Sequence, residues 1–292
     1  MRSRRVHRNR LSDLPSWDWA DCSRRPYVEG ETAWIPVKEG YPSEEAIPER
    51  QPYGGRGYQR LGNTVLVHGP RPTGIQLERI LAWARPRAVI WVKGMAGQMR
   101  EPETEVLFGN PGEVVHREHG CTFFLDPRRV MYAQGNLQER GRMAGAVSGS
   151  GREERVADMF AGIGYFTIPM AVQGARVHAM EISPVAFGYL TRNITGNRVK
   201  DRVTAAEGDS RDLLTGLYDR VVMGHFDAIG YLPDALAHAH AGTVIHLHSR
   251  GPVEDRIAAY VSEAGFRASI TTRRVKKYAP YIWHIVQDVV LS

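Results

Sequence analysis

Cysteine is nearly absent: Cys22 and Cys121 are the only two in 292 residues. So small a supply excludes a disulfide framework and a Cys-rich zinc site, and it suits a reducing cytoplasm. No apolar run approaches the roughly 20 residues of a membrane-spanning helix, so no membrane partner is expected. An apolar stretch is also missing behind the arginines at positions 2, 4, 5, 8 and 10, which argues against a secretory signal. Acid is in the minority, with 32 Asp and Glu against 38 Lys and Arg and a net charge of +6. The basic excess gathers at the N-terminus, at Arg24-Arg25 and in Arg273-Arg274-Val275-Lys276-Lys277. Such clusters suit a polyanion such as RNA, although a solvated basic surface would look the same.

What is present is enough for a sizeable core, since 42% of residues are hydrophobic, and the length allows two domains. Residues 1–55 lack clear periodicity and read as an irregular basic extension with a mobile start. Trp17, Trp19 and Trp34 argue against full disorder there and suit burial better than stacking on bases. Residues 56–147 read as a small, mostly antiparallel α+β domain. It has strands at 64–68, 88–92 and 106–108, a helix at 75–84, and a hairpin of 113–116 with 121–125. Ser148-Gly149-Ser150-Gly151 reads as a flexible joint. Over residues 148–292 strands and helices alternate, with strands at 155–160, 176–181, 203–207, 219–223 and 243–248. Alternation of that kind predicts an α/β domain, a parallel sheet covered on both faces. Two closing strands, 267–275 and 281–290, would add one antiparallel strand to it.

The chemistry is carried by three strand ends. Val156-Ala157-Asp158 leads through Met159-Phe160-Ala161-Gly162-Ile163-Gly164 into an apolar segment, a turn that lets backbone N–H groups approach a ligand. Glu181 ends the second strand, where an acid can hydrogen-bond ribose hydroxyls. Asp209, followed by Ser210, ends the third and could accept an adenine amine. A dinucleotide is the rival ligand, but the turn lacks the third glycine that seats a pyrophosphate. Asp158 would also repel a phosphate and welcome an ammonium. S-adenosylmethionine is therefore the expected cofactor, used as a co-substrate. His116-x-Glu118 is similar to a zinc-deaminase motif, but the downstream cysteine pair is missing. His238, His240, His246 and His248 have no nearby acid or cysteine in sequence to complete a metal set, and no metal is expected.

From about residue 58 onward the chain resembles a tRNA-modifying family pair with class I S-adenosylmethionine-dependent transferase folds. The marks are Gly94 with Arg100, Val115-His116-Arg117-Glu118-His119-Gly120, Leu125-Asp126, the run Met131 to Arg140, and the Asp158 turn. One sibling is the tRNA guanine-N1 methyltransferase. The other is the wybutosine-pathway tRNA 4-demethylwyosine aminocarboxypropyltransferase of archaeal type. The methyltransferase pattern has Ser-Pro-Arg where this chain has Ala133-Gln134-Gly135-Asn136, and an Asn with a Pro-containing pair where it has Met223-Gly224-His225. Both departures favour the aminocarboxypropyltransferase.

The resemblance implies a class I methyltransferase-like Rossmann fold with a C-terminal antiparallel hairpin, and these roles. Glu181 holds the ribose, Asp209 and Ser210 the adenine, and Phe160 and Gly162 of the Asp158 turn the remainder. Arg140, with the backbone of Ala133, reaches the methionine end. His225 is a candidate catalytic residue, with a structural role as the even alternative. The implied partner is the tRNA-Phe anticodon loop and the implied product methylthioadenosine, in a monomeric cytoplasmic enzyme. Guanine-N1 methylation of the same nucleotide, and tRNA binding without catalysis, are the other readings.

Overall fold

The computed structural model describes residues 2–46, 55, 57–97, 99–132, 134–279 and 281–292. The chain divides into two compact units, Met1–Gly54 and Gly55–Ser292. The first is not irregular, and its start is not a loose tail. It holds a four-stranded antiparallel sheet in the order β2 (Tyr27–Glu29), β3 (Thr32–Pro36), β1 (Arg2–His7), β4 (Glu45–Ala46), so β1 is an inner strand. Local pattern hid β1 because the strand is mostly charge. The apolar surface it covers comes from Ala33 and Ile35 of β3 and from Ala20. Trp17 and Trp19 are half-buried against that core and stack at 5.0 Å, with Arg10 over one ring and Arg4 over the other.

The second unit opens with a sheet in the order β5 (Gln59–Leu61), β6 (Thr64–His68), β7 (Ala88–Ala96), β8 (Glu101–Gly109), in which only β6 and β7 run parallel. Helix α1 (Gly74–Ala84) links that pair and begins with a Thr73–Gln76 capping box, which satisfies two otherwise orphaned N–H groups. The expected hairpin is present as β9 (Val114–Glu118) and β10 (Cys121–Leu125). A helix that the sequence pattern did not suggest, α2 (Leu137–Ser148), follows it.

The remainder is a seven-stranded sheet in the order β13-β12-β11-β14-β15-β17-β16. Its strands are β11 (Arg155–Asp158), β12 (Arg176–Glu181), β13 (Val203–Glu207), β14 (Arg220–Met223), β15 (Val244–Arg250), β16 (Ala268–Ala279) and β17 (Ile282–Leu291). Strands β11 to β15 run parallel and β17 runs opposite to the other six, as the closing hairpin predicts. The helices are α3 (Thr167–Val172), α4 (Pro184–Gly196), α5 (Ser210–Leu213), α6 (Leu232–Ala237) and α7 (Glu254–Glu263).

Residues 56–147 and 148–292, expected as separate domains, share one apolar core. Leu61, Leu66, Ile90, Phe123 and Met143 pack in the same cluster as Ile163, Ile168 and Leu190. Polar contacts fix the register of that junction. Asn193 on α4 and Asn197, which caps its C-terminus one turn later, present their amides to the free edge of β10. Asn193 Oδ1 accepts from Phe124 N at 2.7 Å, and Asn197 Oδ1 from Thr122 N at 2.8 Å. Asn197 Nδ2 donates to Thr122 O at 2.7 Å, so the pair acts as a substitute strand. Asn193 Nδ2 also donates to Ile163 O at 2.9 Å, which ties the ligand-facing turn after β11 to the hairpin.

Asn193 is fully buried, and Asn193→Ala would leave the Phe124 N–H and the Ile163 carbonyl without partners. The expected loss is about 2–4 kcal/mol in urea denaturation. Asn197→Ala, at a half-buried site, should cost less.

Candidate active site

A cavity of ≈ 490 Å³ opens at the carboxyl edge of the parallel strands, within the size range of nucleotide-like ligands. The glycine turn, Glu181, Asp209, Ser210 and Gly224–Asp227 line one side; Tyr132, Asn136, Arg140 and Lys276 line the other.

The turn is built by its neighbours. Met159 N donates to Val222 O and Ala161 N to Met180 O, so the chain leaves β11 still bonded to both flanking strands. Gly164 has φ +98°, and a Cβ there would stand 2.8 Å from Ile168 Cγ1; only glycine fits. The strand stops at Asp158, short of the expected residue 160, and the helix starts at Thr167, so the turn spans 159–166.

Glu181 joins the first two strand ends. Its Oε2 accepts from Gly162 N at 2.7 Å and its Oε1 from Ser183 N at 2.8 Å, leaving lone pairs toward the cavity. Burial raises its pKa in spite of those bonds. Asp209 caps α5 and forks onto Arg211 at 3.0 and 2.6 Å, and the Arg211 side chain holds its carboxyl below the usual range. Ser210 Oγ lies buried on the cavity wall with no partner among the described residues, as a waiting hydrogen-bonding group would.

Asp158 is placed differently from the sequence expectation. It is fully buried and does not line the cavity. Thr167 Oγ1 donates to its Oδ2 at 2.7 Å, while Oδ1 has no partner among the described residues. Burial, with the nearby Glu181 charge adding to it, pushes its pKa up to about 6. The carboxyl supports the turn from below.

Phe160 and His225 face each other as stacked rings 5.4 Å apart, with Tyr231 edge-on to Phe160 at 5.0 Å. Asp227 N donates to His225 Nδ1 at 3.2 Å, which leaves Nε2 as the protonated nitrogen of the neutral ring. Burial lowers the His225 pKa. In that state His225 is an aromatic wall and a hydrogen-bond donor, not a base.

Arg140 is buried, with its Cζ 4.0 Å from the Tyr165 ring centroid. Its Nη1 donates to Glu118 Oε1 at 2.5 Å. Glu118 Oε2 in turn meets His116 Nε2 at 3.1 Å and accepts from Tyr132 Oη at 3.2 Å. Burial would raise the Glu118 pKa, but His116 and Arg140 hold it near 2. Burial and the Glu118 charge push the Tyr132 phenol up to about 12. Glu118, Tyr132, Asn136 and Lys276 were not among the sequence-predicted site residues. Glu118 and Asn136 nevertheless lay inside the stretches that set the chain apart. Ala133 lies outside the described residues.

His246 finds an acid after all: Asp288 Oδ1 is 2.5 Å from its Nδ1, brought there by the β15–β17 register. Arg220 and Arg142 complete a buried ionic network around the pair. Among the described residues no cluster has the make-up of a metal site.

A glycine turn, an acid after the second strand and an Asp-Ser pair after the third, on a sheet with one antiparallel strand, define a class I S-adenosylmethionine-dependent transferase fold. The chain belongs to the TRM5/TYW2 family, whose methyltransferase domain matches residues 114–275. It is 34% identical over 248 residues to the tRNA(Phe) (4-demethylwyosine(37)-C(7)) aminocarboxypropyltransferase of Methanocaldococcus jannaschii, covering 80% of this chain and 97% of that one. The solved M. jannaschii TYW2 in complex with AdoMet is similar, with TM-score 0.64 and 29% identity over 81% of this chain and 99% of that one. Trm5b of Pyrococcus abyssi is similar too, with TM-score 0.73 and 27% identity over 99% of both chains.

Asp158 gives the apo fold a pH signature. The folded carboxyl keeps its proton up to about 6, whereas the unfolded one loses it near 3.8. Stability from this group is therefore full below pH 3.8, is lost as pH rises from there through about 6, and is gone above it, a loss of about 3 kcal/mol. Asp158→Asn should match the native protein near pH 4 and exceed it in melting temperature at pH 7.5.

Proposed function

We propose that the chain transfers the 3-amino-3-carboxypropyl group of S-adenosylmethionine to 4-demethylwyosine beside the anticodon of tRNA-Phe, releasing methylthioadenosine. The observation that carries this reading is the wall after β14. His225 lies flat on Phe160 there, pinned by the Asp227 N–H, and residues 223–227 hold no side-chain amide to grip a guanine ring nitrogen. The likeness to the M. jannaschii aminocarboxypropyltransferase over nearly all of that protein supports it.

In this reading Glu181 accepts the ribose hydroxyls with the lone pairs its backbone donors leave open. Asp209 and Ser210 meet the adenine, and Phe160 and Gly162 cover the nucleoside. Arg140 stands at the methionine end, with Glu118 fixing the guanidinium. Bound S-adenosylmethionine supplies a sulfonium-activated γ-carbon. The tRNA base carbon bonds to it, the sulfur keeps the electron pair of the broken C–S bond, and the base loses a proton. The protein's contribution is orientation, since holding both reactants in line turns a two-body encounter into a directed one. His225 donates from Nε2 to the base or its surroundings. Exposed Arg273, Arg274 and Lys277 on β16 suit tRNA phosphates, contacts that position without specifying.

A second reading, guanine-N1 methylation, is favoured by one observation: Trm5b matches this chain over 99% of its length, including the first unit. The two separate cleanly with tRNA and cofactor labelled in either the methyl or the carboxyl carbon. Carboxyl label in the tRNA with methylthioadenosine released is the expected result, and methyl label alone would sink the proposal. Glu181→Ala should weaken cofactor binding about 10- to 100-fold by calorimetry, through lost charge-assisted hydrogen bonds.

A further inference from the structure

Four cations border the cavity: Arg100, Arg129, Arg140 and Lys276, of which Arg129 is solvent-exposed. Two are spoken for. Arg140 is matched by Glu118 at 2.5 Å, and the Arg100 guanidinium lies over the Phe226 ring, 5.2 Å from its centroid. Lys276, half-buried on β16, has no hydrogen-bond or ion-pair partner among the described residues. A cation held off water without an anion is costly, and the cost falls away when an anionic ligand arrives. Burial, Arg140 and Arg100 together lower its pKa, a penalty that a docked carboxylate would relieve.

Two neighbours complete a zwitterion's counterpart. Asn136 lines the same cavity, and its Oδ1 is buried with no partner among the described residues. Although Asn136 is the N-cap residue of α2, its side chain makes no capping bond, so that oxygen has no helical duty. Gly135 supplies the space. A Cβ at that position would lie 2.4 Å from Lys276 Cδ and 2.7 Å from Nζ, so any other residue would push the lysine aside.

We propose that Lys276 binds the carboxylate of the cofactor's amino-acid arm, that Asn136 Oδ1 accepts from its ammonium, and that Gly135 is glycine to leave the lysine its path. The inference rests on the cofactor assignment above and deepens it. The Gly135-Asn136 pair becomes the fixture that aims the three-carbon arm, and Lys276 a positioning residue.

The test compares two ligands on the full chain by calorimetry. S-adenosylhomocysteine carries the carboxylate and the ammonium; methylthioadenosine carries neither. Lys276→Met and Gly135→Ala should each weaken S-adenosylhomocysteine on the order of 10- to 100-fold, and Asn136→Ala about 10-fold, with methylthioadenosine unchanged within about twofold. Lys276→Gln is the second lysine variant, and it should behave as Lys276→Met does. Equal weakening of both ligands would overturn the proposal by making the lysine structural. Unchanged affinity for both with a raised KM for tRNA would overturn it by giving Lys276 to the RNA. The group transferred is read separately from labelled tRNA, so a methyl product would end the functional reading without altering the ligand ratio.

Discussion

The site depends on a polar junction inside an otherwise apolar seam. Asn193 reaches the backbone of Phe124 in the hairpin and the carbonyl of Ile163 in the glycine turn, and Asn197 repeats the hairpin contact one helical turn away. An edge strand presents unpaired donors and acceptors that must be satisfied. Here a helix satisfies them, and in doing so sets the distance between Arg140's part of the chain and the turn that faces it. Apolar packing alone would permit sliding; directional amide bonds do not.

Charge within the cavity is divided by the same logic. The acids Glu181 and Asp209 stand at the strand ends, each steadied by backbone N–H groups or by Arg211. Of the cations, Arg100 and Arg140 come from the part of the chain around the smaller sheet and Lys276 from β16, with Glu118 neutralising the most buried one. An extended ligand with a neutral polar end and a zwitterionic end has one orientation in such a field. Asp158, for which the sequence suggested direct contact, contributes from beneath by bonding Thr167 at the start of α3.

The parallel sheet and its strand ends were legible because each element there is locally periodic. Strands β6, β12 and β13 begin and end where the pattern places them. Glu181 and Asp209 could be read from their place after a strand. What could not be read has a common cause. Strand β1 is polar in sequence and becomes a strand only by pairing with β3 some 30 residues away. Helix α2 buries Glu139 and Arg140, charges that look solvent-facing until Arg142 and Glu118 are known to meet them. Lys276 looks like one member of a basic run, and only the fold turns it inward from its neighbours. Non-local pairing and buried charge leave no period in the chain.

The continuous core beneath the cavity couples its two walls. Phe123 of the hairpin touches Tyr165 of the glycine turn, and Tyr165 touches the Arg140 guanidinium. A close-packed interior transmits strain. A methylene trimmed from a hairpin residue in this core would therefore change the fit of the cleft as surely as one trimmed from its wall.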